Sequence, residues 1–448
     1  MEIIKTFKNI ENSNNYYIIE FNDSIVVIDP PRDAWKVLNY SSSITKPITH
    51  VLETHIHNDY LTGAFEIANV YNSIHVVPEP LKKSNFQLAD SNFEINVEGY
   101  SVTSFPTPGH TYTHVSYVLE KEGTTIAIFS GGSVTSNGVG RTDLVSPDDT
   151  RILTHHQFES KNKFHEFEDT VFVYPTHGQG SFCGVTNKPL PDYPTIESLK
   201  TDNDLFVEKD YKNFEQNLLS SLGAYPSYFG TTNNFNLGDF DLISNIETPQ
   251  VITDIEIIDD VVLIDATVDK NFKVQDAIKI PNNNKFSSYV GWVINNETSL
   301  ALVFEDREIE LFNIENLTNI NDDSQLINDK ISQTILALYR VGIEKIKYII
   351  PQSAVKKLKT NTISKETYNG EKFYDIREKN EKNSEEEFSF DTLSRHYYQN
   401  GSLPSKFLNL NENYLSCGSG LRAGLIASII NNEKTIFLND TSVDSLDK

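Results

Sequence analysis

The sequence predicts a protein of the α/β class with a chemical site at one edge of a packed pair of sheets. Short apolar runs alternate along the first half of the chain with stretches of helical character. Four of these runs end directly in ligand-type residues or glycine-rich loops: ITHVLETHIHND, SVTSFPTPGH, TIAIFSGGS and VFVYPTHGQG. Because side chains at the ends of neighbouring strands meet at one edge of a sheet, we expect the four runs to build one site.

Composition limits the classes of partner. The chain has 448 residues, of which 38% are hydrophobic, so it is long enough for about three packed domains. Its net charge of -25 and pI near 4.8 argue against nucleic acid and anionic membranes as partners. No apolar segment approaches the roughly 20 residues of a membrane span. The two cysteines, Cys183 and Cys417, fit a reducing compartment, and we expect a cytoplasmic protein.

The order of the sequence patterns divides the chain into three predicted domains. Residues 14–30, NNYYIIEFNDSIVVIDP, predict two short strands around a turn at Asn22 and Asp23. Later, VVLIDATVDKNFKVQDAIKIP and FYDIRE place Asp265 and Asp375 in similar positions, which indicates a weak internal repeat of an α/β unit. The predicted domains are residues 1–245, 246–355 and 356–448.

Five residues of metal-ligand type stand at the strand ends. THIHND, PTPGH and YPTHG supply imidazoles and a carboxylate, which suit zinc or iron, on short turns that fix their angles. Together these motifs resemble those of the metallo-β-lactamase superfamily. The resemblance implies an αββα sandwich in the first domain, with a metal site in it. The implied metal residues are His55, His57, Asp59, His110 and His177.

Two positions depart from the motifs of that superfamily. Tyr60 stands where the last histidine of the first motif is expected, and Gly132 in FSGGS stands where an aspartate ligand is expected. In the two-metal hydrolases the expected aspartate bridges both metals and the expected histidine holds the second one. Because this chain has neither residue, a dinuclear zinc hydrolase is disfavoured. A Gly132→Asp variant is expected to restore the missing carboxylate and to raise the affinity for iron, provided that the loop can place the side chain.

The mononuclear iron branch of the superfamily, the persulfide dioxygenases, needs fewer ligands. GRTDL at 140–144, SGGS and HNDYLTG resemble this branch. The resemblance implies one Fe(II) ion per chain on His55 and His110, with zinc as the alternative metal. His57, Asp59 and His177 would then order water or substrate. A degenerate domain that binds metal weakly is the other interpretation that the motifs leave open.

A cysteine loop late in the sequence gives a second chemical signal. In CGSGLRAGLIASII, residues 417–430, Cys417 opens a glycine-rich loop and Arg422 follows at the start of an apolar helix. Loop amides, the helix N-terminus and the arginine together stabilise a thiolate. The loop resembles the active loop of rhodanese sulfurtransferases, and FYDIRE at 373–378 resembles the opening of the same fold. Residues 250–350 resemble a rhodanese domain that lacks its cysteine.

Cys183 follows the last histidine motif, in THGQGSFCG. The rhodanese-fused persulfide dioxygenases have a similar glycine-rich stretch with a Cys-Gly pair, and the resemblance implies that this thiol accepts a sulfane sulfur near the metal. A buried, inert thiol is the alternative interpretation. Cys183 is therefore a candidate catalytic residue beside Cys417 and Arg422.

Over nearly its whole length, the chain resembles fusions of a persulfide dioxygenase with rhodanese-like domains that act in sulfide detoxification. The resemblance implies that a thiol persulfide and O₂ give sulfite, and that Cys417 carries a sulfane sulfur toward thiosulfate. A sulfurtransferase with an inactive metal domain and a zinc-dependent thioester hydrolase stay open as alternatives. The expected partners are these small molecules, and the sequence leaves open whether the chain forms a homo-oligomer.

Tyr60 and Gly132 predict at most one tightly bound metal ion per chain, because the ligands of a second ion are missing. The measurement is elemental analysis of protein purified without oxygen. Two ions per chain, both lost in His55→Ala, would contradict this prediction.

Overall fold

The structure is a computed structural model that describes most of the chain. The described residues are 3–9, 11–82, 86–184, 191–238, 241–318, 326, 328–382, 386–410, 414–431, 435–439, 442, 444 and 446. They form two compact units. The first unit contains the described residues up to Leu222 and those of Phe229–Ile243, and the second contains Gly223–Tyr228 and the described residues from Ser244 onward. The three predicted domain ranges stay predictions.

Two sheets form the centre of the first unit. The first sheet contains, in spatial and chain order, β1 (Ile4–Asn9), β2 (Asn14–Glu20), β3 (Ile25–Ile28), β4 (Ile48–Leu52), β5 (Ile74–Val77) and β6 (Gln87–Leu88). The strands that follow are β7 (Glu94–Val97), β8 (Tyr100–Pro106), β9 (Val115–Lys121), β10 (Thr124–Gly131), β11 (Val134–Thr135), β12 (Gly138–Val139) and β13 (Phe172–Pro175). The second sheet has the order β13-β10-β9-β8-β7, while β11 pairs with β12.

The two sheets pack face to face through one apolar cluster. It includes Tyr17 and Leu52 from the first sheet and Tyr117 and Phe129 from the second, all without solvent exposure. Strands β2 and β3 pair antiparallel, which confirms the two strands predicted within residues 14–30. Since each sheet buries one face in this cluster, its other face is left for helices.

Helices cover the outer faces of the two sheets. The helices of the first unit are α1 (Trp35–Ile44), α2 (Ala64–Tyr71), α3 (Thr150–Lys163), α4 (Ile196–Asp202), α5 (Asp204–Val207), α6 (Tyr211–Ser221) and α7 (Phe229–Asn236). Helix α2 packs on β4 and β5. On the second sheet, Ile128 and Val173 pack with Ile196 of α4 and Phe206 of α5. The predicted αββα sandwich is confirmed for this part of the chain.

Two parallel sheets organise the second unit. Its strands are β14 (Gln250–Val251), β15 (Val262–Asp265), β16 (Phe272–Val274), β17 (Ile278–Lys279), β18 (Leu300–Phe304), β19 (Ile346–Pro351), β20 (Lys357–Lys359), β21 (Thr362–Ile363), β22 (Tyr374–Asp375), β23 (Tyr414–Ser416) and β24 (Ile436–Leu438). One sheet has the order β14-β19-β18-β15-β17, the other has the order β21-β24-β23-β22, and β16 pairs with β20. Strand β18, LALVF, is buried at every residue, as expected for a parallel strand covered on both faces.

Short helices alternate with these strands. They are α8 (Phe286–Val293), α9 (Asp306–Ile309), α10 (Glu315–Thr318), α11 (Lys330–Arg340), α12 (Phe390–Asn400), α13 (Ser405–Leu408) and α14 (Leu421–Ile430). The predicted rhodanese folds of this region stay a prediction. In the part of the chain that the structure describes, no helix combines the length and the apolar character that crossing a membrane requires.

The two positions of the weak internal repeat, Asp265 and Asp375, lie in two turns with the same hydrogen-bond pattern. Asp265 ends β15 and accepts a hydrogen bond from the Thr267 amide at 3.1 Å, and Asp375 ends β22 and accepts one from the Arg377 amide at 3.0 Å. Each carboxylate also pairs with a cation, Lys279 in the first case and Arg377 in the second. The aspartates therefore close the turns that follow two parallel strands.

One side chain of α7 fixes the loop that follows β4. Asn236 is buried, and its Nδ2 donates to the carbonyl oxygens of His57 and Tyr60, both at 2.8 Å. Its Oδ1 accepts from the Thr62 amide at 2.9 Å. The side-chain amide thus satisfies three backbone groups of a buried loop that has no regular hydrogen bonding of its own.

Asn236→Ala should lower the free energy of unfolding by about 3 kcal/mol, because it leaves buried backbone groups without partners. The matched control is Asn234→Ala, which removes an exposed amide from the same helix and should cost no more than about 0.5 kcal/mol. Denaturant unfolding measures both values. Equal losses in the two variants would show that Asn236 does not hold the loop.

Candidate metal centre

Three histidines from three strand ends converge in the first unit. His55 follows β4, His110 follows β8, and His177 follows β13. All three are fully buried, and the ligand atoms that they offer lie within 4.8 Å of one another. The Nε2 atoms of His55 and His177 are 3.3 Å apart. Three of the four strand-end motifs therefore bring potential metal ligands to one point.

Each of these rings contacts a protein oxygen through Nδ1, which leaves Nε2 available. The contacts are Thr54 Oγ1 to His55 at 2.9 Å, the Arg141 carbonyl oxygen to His110 at 2.7 Å, and Asn14 Oδ1 to His177 at 3.3 Å. The Nε2 of His110 is buried and has no hydrogen-bond partner among the described residues. A ring held at one nitrogen by the protein, with its other nitrogen available, is the arrangement of a metal-bound imidazole.

Burial keeps these imidazoles neutral. Burial and a neighbouring histidine lower the pKa of His110 to about 3, and they lower the pKa of His177 to about 3 as well. The same causes hold the pKa of His55 well below its ordinary value. Because the neutral ring is the form that binds metal, no proton has to leave these residues at neutral pH.

The donor set fits one divalent metal ion. Two nitrogens bound to the same ion at about 2.0–2.1 Å with a tetrahedral angle lie about 3.3 Å apart. This is the separation observed for His55 Nε2 and His177 Nε2. His55, His110 and His177 would hold the ion, and Asp59 lies beside them, with its Oδ2 3.5 Å from His177 Nδ1. The metal role of these residues and of His57 stays a prediction.

His57 hydrogen-bonds to Asp29 and Tyr60, and it also lies in two further groups of possible metal ligands, one with Asp29 and His55 and one with Asp59 and His177. Its Nε2 lies 3.3 Å from Asp29 Oδ1 and 3.1 Å from the Tyr60 hydroxyl, which donates to the Asp29 carbonyl oxygen at 3.1 Å. Burial lowers the pKa of His57, but the Asp29 carboxylate outweighs it and raises that pKa above its ordinary value. Burial also raises the pKa of Tyr60 well above 10. Tyr60 therefore stays a neutral hydroxyl, which is a poor substitute for the metal-binding histidine.

Asp29, which the motif analysis missed, connects two of the motifs. Its carboxylate accepts hydrogen bonds from the Thr54 amide at 2.8 Å, from the Thr54 hydroxyl at 2.7 Å, and from the Thr176 hydroxyl. Thr54 precedes His55, and Thr176 precedes His177. One buried carboxylate therefore positions both T-H pairs. The available sequence signal is an acidic residue at the end of the apolar run SIVVID.

Asp59 and Cys183 lie beside the histidine cluster. Asp59 Oδ2 accepts a hydrogen bond from Asn14 Nδ2 at 2.7 Å, and burial raises the pKa of Asp59. The thiol of Cys183 is fully buried near Asp59. Burial and this carboxylate raise the pKa of Cys183 well above its ordinary value. The structure thus places Cys183 near the predicted metal residues, but as a neutral thiol.

Glycines pack directly against His110. A Cβ atom on Gly132 would lie 2.4 Å from Cδ2 of His110, and one on Gly140 would lie 1.9 Å from the Gly132 carbonyl oxygen. Side chains do not tolerate such contacts, so both positions require glycine in this backbone. Gly132→Asp is expected to restore a carboxylate ligand only if the loop can place the side chain, and this backbone does not meet that condition, because a new side chain would displace the imidazole of His110.

His114 lies next to His55, with their ring centroids 5.1 Å apart, yet both of its nitrogens are engaged by the protein. Its Nδ1 contacts Thr107 Oγ1 at 2.9 Å, and its Nε2 accepts a hydrogen bond from the Gly132 amide at 2.9 Å. A histidine with both nitrogens occupied has no lone pair for a metal. His114 instead supports the glycine loop behind His110.

The cysteine loop lies in the second unit at the start of α14. Cys417 Sγ accepts hydrogen bonds from the amides of Gly420 at 3.2 Å and Ala423 at 3.5 Å. Arg422 forms a two-pronged ion pair with Glu381, at 2.6 Å and 2.9 Å. The described contacts to the sulfur therefore come from backbone amides, while Arg422 binds a carboxylate that no sequence pattern singled out.

Known proteins of similar sequence identify the family. A hydroxyacylglutathione hydrolase of Marinomonas sp. (strain MWYL1) is 34% identical over 237 residues, which cover 48% of this chain and 90% of that protein. One from Actinobacillus pleuropneumoniae serotype 5b (strain L20) is 26% identical over 170 residues, 37% of this chain and 66% of that protein. No protein-family model matches the sequence. Over about half its length, this chain belongs to the metallo-β-lactamase-fold family that includes these hydrolases.

A solved structure extends the similarity of fold. The metallo-β-lactamase from Staphylococcus aureus subsp. aureus COL superimposes with a TM-score of 0.64 and 23% sequence identity. The superposition covers 78% of this chain and 98% of that chain, which is more than the first unit alone supplies. At this level of identity the similarity establishes the fold and leaves the activity open.

His110→Ala should lower metal affinity by more than about 100-fold, because it removes a nitrogen of the histidine cluster. His114→Ala is the matched control. It should retain the metal while it lowers the free energy of unfolding by about 1–3 kcal/mol, since the Gly132 amide loses its acceptor. Elemental analysis and thermal unfolding distinguish the two. Metal loss in His114→Ala but not in His110→Ala would refute the assignment.

Proposed function

We propose that the chain is a sulfur-handling enzyme with two centres. The first unit oxidises the persulfide of a small thiol at one metal ion, and Cys417 in the second unit transfers a sulfane sulfur. The observation that carries the proposal is the sulfur of Cys417, which accepts two backbone amide hydrogen bonds at the N-terminus of α14. This arrangement suits a sulfur that alternates between thiolate and persulfide anion.

The histidine cluster supports an anionic sulfur substrate at the metal. Since the three imidazoles are neutral, a divalent ion held by them would keep its full charge in buried surroundings and attract an anion. A bound Fe(II) ion would supply O₂ activation, so that a thiol persulfide, O₂ and water give a thiol and sulfite. The chain itself orients the rings through Thr54, Arg141 and Asn14, excludes water by burial, and keeps a proton on the Cys183 thiol beside Asp59.

Sulfur transfer at Cys417 needs no cofactor. The thiolate attacks the outer sulfur of thiosulfate, the bond between the two sulfurs breaks, and sulfite leaves with the electron pair. Cys417 then carries the outer sulfur as a persulfide, which an acceptor thiolate removes, or sulfite removes in the reverse direction. The amides of Gly420 and Ala423 stabilise the anionic sulfur at both stages. Glu381 holds Arg422 next to the loop, where its charge favours anions.

The relatives support a thiol-derived substrate. Hydroxyacylglutathione hydrolases are named for a substrate built on glutathione. A persulfide of glutathione would share the glutathione portion of that substrate and would differ from it at the reacting sulfur. The proposed partners are therefore a small-thiol persulfide, O₂, sulfite and thiosulfate, in the cytoplasm.

The same relatives favour a second candidate, a zinc-dependent thioester hydrolase, because the 34% identity extends over 90% of a hydrolase. Two observations favour the persulfide-oxidising enzyme over the zinc-dependent hydrolase. Tyr60 keeps its hydroxyl in hydrogen bonds with His57 and the Asp29 carbonyl oxygen, and the backbone at Gly132 leaves no space for a carboxylate. A two-metal hydrolase centre needs ligands at both positions.

Protein purified without oxygen and loaded with Fe(II) should consume O₂ when glutathione persulfide is added. A chelator should abolish the uptake, Fe(II) should restore it, and His110→Ala should lack it. Oxygen uptake and thioester hydrolysis are measured in parallel. Hydrolysis of an acylated glutathione by zinc-loaded protein, without O₂ uptake by the iron form, would establish the second candidate. The absence of both would leave a sulfurtransferase with an inactive metal domain.

Cys417→Ser should abolish sulfur transfer from thiosulfate to a thiol acceptor, because a serine hydroxyl neither ionises as readily nor carries a persulfide. Arg422→Ala should slow the transfer, and Arg422→Lys should restore it only in part, since lysine cannot form the two-pronged pair with Glu381. Arg395→Ala is the matched control, because it breaks another arginine–carboxylate pair of the second unit. Wild-type transfer by Cys417→Ser would refute the role of Cys417.

A further inference from the structure

A basic cavity of about 750 Å³ lies in the second unit, behind the cysteine loop. One wall is α14 together with Ser419 and Gly420, and the opposite wall comes from residues 270–283 and 356–361. Cys417 does not line it. The cavity is therefore separate from the thiol and is not explained by sulfur transfer.

The lysines of this cavity are unusual in so acidic a chain. Four line it with an exposed or half-buried side chain: Lys270, Lys273, Lys356 and Lys359. Among the described residues of the lining Asp276 is the one acidic residue, so these four positive charges stand against one negative charge. The whole chain, by contrast, has a net charge of -25. A cavity with this excess raises the local concentration of anions.

A fifth lysine of the lining, Lys279, has a structural role. It is buried, donates to the carbonyl oxygen of Thr267 at 2.6 Å, and pairs with Asp265 at 3.1 Å. By comparison, neither Lys356 nor Lys359 forms an ion pair within the described residues. Lys359 lies on the short strand β20 and Lys356 directly precedes it, and both lysines line the cavity.

The remaining lining combines neutral polar residues with an apolar part, which suits an organic ligand. Leu358, Leu421, Leu425 and Phe437 contribute to the walls. The volume lies in the range of small-molecule sites, about 300–1,000 Å³, and is far larger than a lone inorganic anion needs. Apolar walls next to several ammonium groups match a ligand that combines phosphate groups with a less polar portion.

We propose that this cavity binds a phosphorylated small molecule of nucleotide size, with its phosphates on Lys356 and Lys359 and its organic portion against Leu421 and Phe437. The site adjoins the sulfur centre through one residue. Gly420 lines the cavity, and its amide donates to Cys417 Sγ at 3.2 Å. The inference goes beyond the proposed function and does not require that sulfur transfer be the activity.

Equilibrium binding by the full chain tests the proposal, with ADP and coenzyme A as phosphorylated probes and adenosine and pantethine as their uncharged counterparts. Both phosphorylated probes should bind, the uncharged ones should bind at least tenfold more weakly, and affinity should fall as salt is added. Lys356→Glu/Lys359→Glu should weaken ADP binding at least tenfold. The matched control, Lys347→Glu/Lys365→Glu, reverses two exposed lysines outside the cavity and should leave binding unchanged.

A second measurement does not depend on variants. Bound ADP should protect Lys356 and Lys359 from acetylation, detected by mass spectrometry, while Lys347 and Lys365 stay reactive. If neither phosphorylated probe binds at a concentration of about 1 mM, the proposal is overturned, because a built site has a dissociation constant below that concentration. Equal weakening by both double variants would overturn it too. A preference for a single-stranded oligonucleotide over ADP at equal phosphate concentration would exclude a small-molecule site.

Discussion

The carboxylate of Asp29 is the interaction on which the geometry of the candidate metal centre depends. Its Oδ2 accepts the Thr54 hydroxyl proton, and the oxygen of that hydroxyl in turn faces His55 Nδ1 at 2.9 Å. A hydroxyl that donates to a carboxylate is left to accept from the ring, so Nδ1 of His55 carries the proton and Nε2 is free for metal. The same carboxylate holds Thr176, the neighbour of His177. The Asp29 carboxylate therefore positions two strand ends and fixes the tautomer of His55.

Burying that charge costs free energy, and the surroundings compensate for it. Burial raises the pKa of Asp29, but His57 and the hydrogen bonds from Thr54 and Thr176 outweigh it, and its pKa lies below the ordinary value. The carboxylate stays ionised because three side chains from two segments, the loop after β4 and the end of β13, solvate it. The histidines of the cluster stay neutral in the same interior because burial acts on them without an equal counter-charge.

Tyr60 and Gly132 occupy the two positions at which the resemblance to the superfamily expects further metal ligands. Tyr60 stacks on His57, with ring centroids 4.2 Å apart, and its hydroxyl satisfies buried polar groups that a metal ion would otherwise engage. Gly132 lets the loop approach the ring of His110 so closely that no side chain fits. Both residues contribute packing contacts at these positions. The three imidazoles of His55, His110 and His177 remain close together.

Local patterns by themselves determined the elements of this protein. Short apolar runs on either side of a turn predicted β2 and β3, the strand-end motifs predicted His55, His110 and His177 as candidate metal residues, and a cysteine before a glycine-rich helix start predicted the loop at Cys417. Each of these signals lies within a few neighbouring residues, so it can be read without the fold. The αββα sandwich, by contrast, was implied by the resemblance of these motifs to those of the metallo-β-lactamase superfamily.

Only the tertiary structure decided which distant groups serve the site. Asp29 reaches Thr176 across 147 positions of sequence, and Arg422 meets Glu381 across 41. No local pattern marks such pairs, because they arise when separate strands and loops pack at one edge. The lysines of the basic cavity likewise come from separate segments that the second unit folds together. The space at Gly132 was also undetermined by sequence, since steric room depends on the atoms that surround a residue in the folded chain.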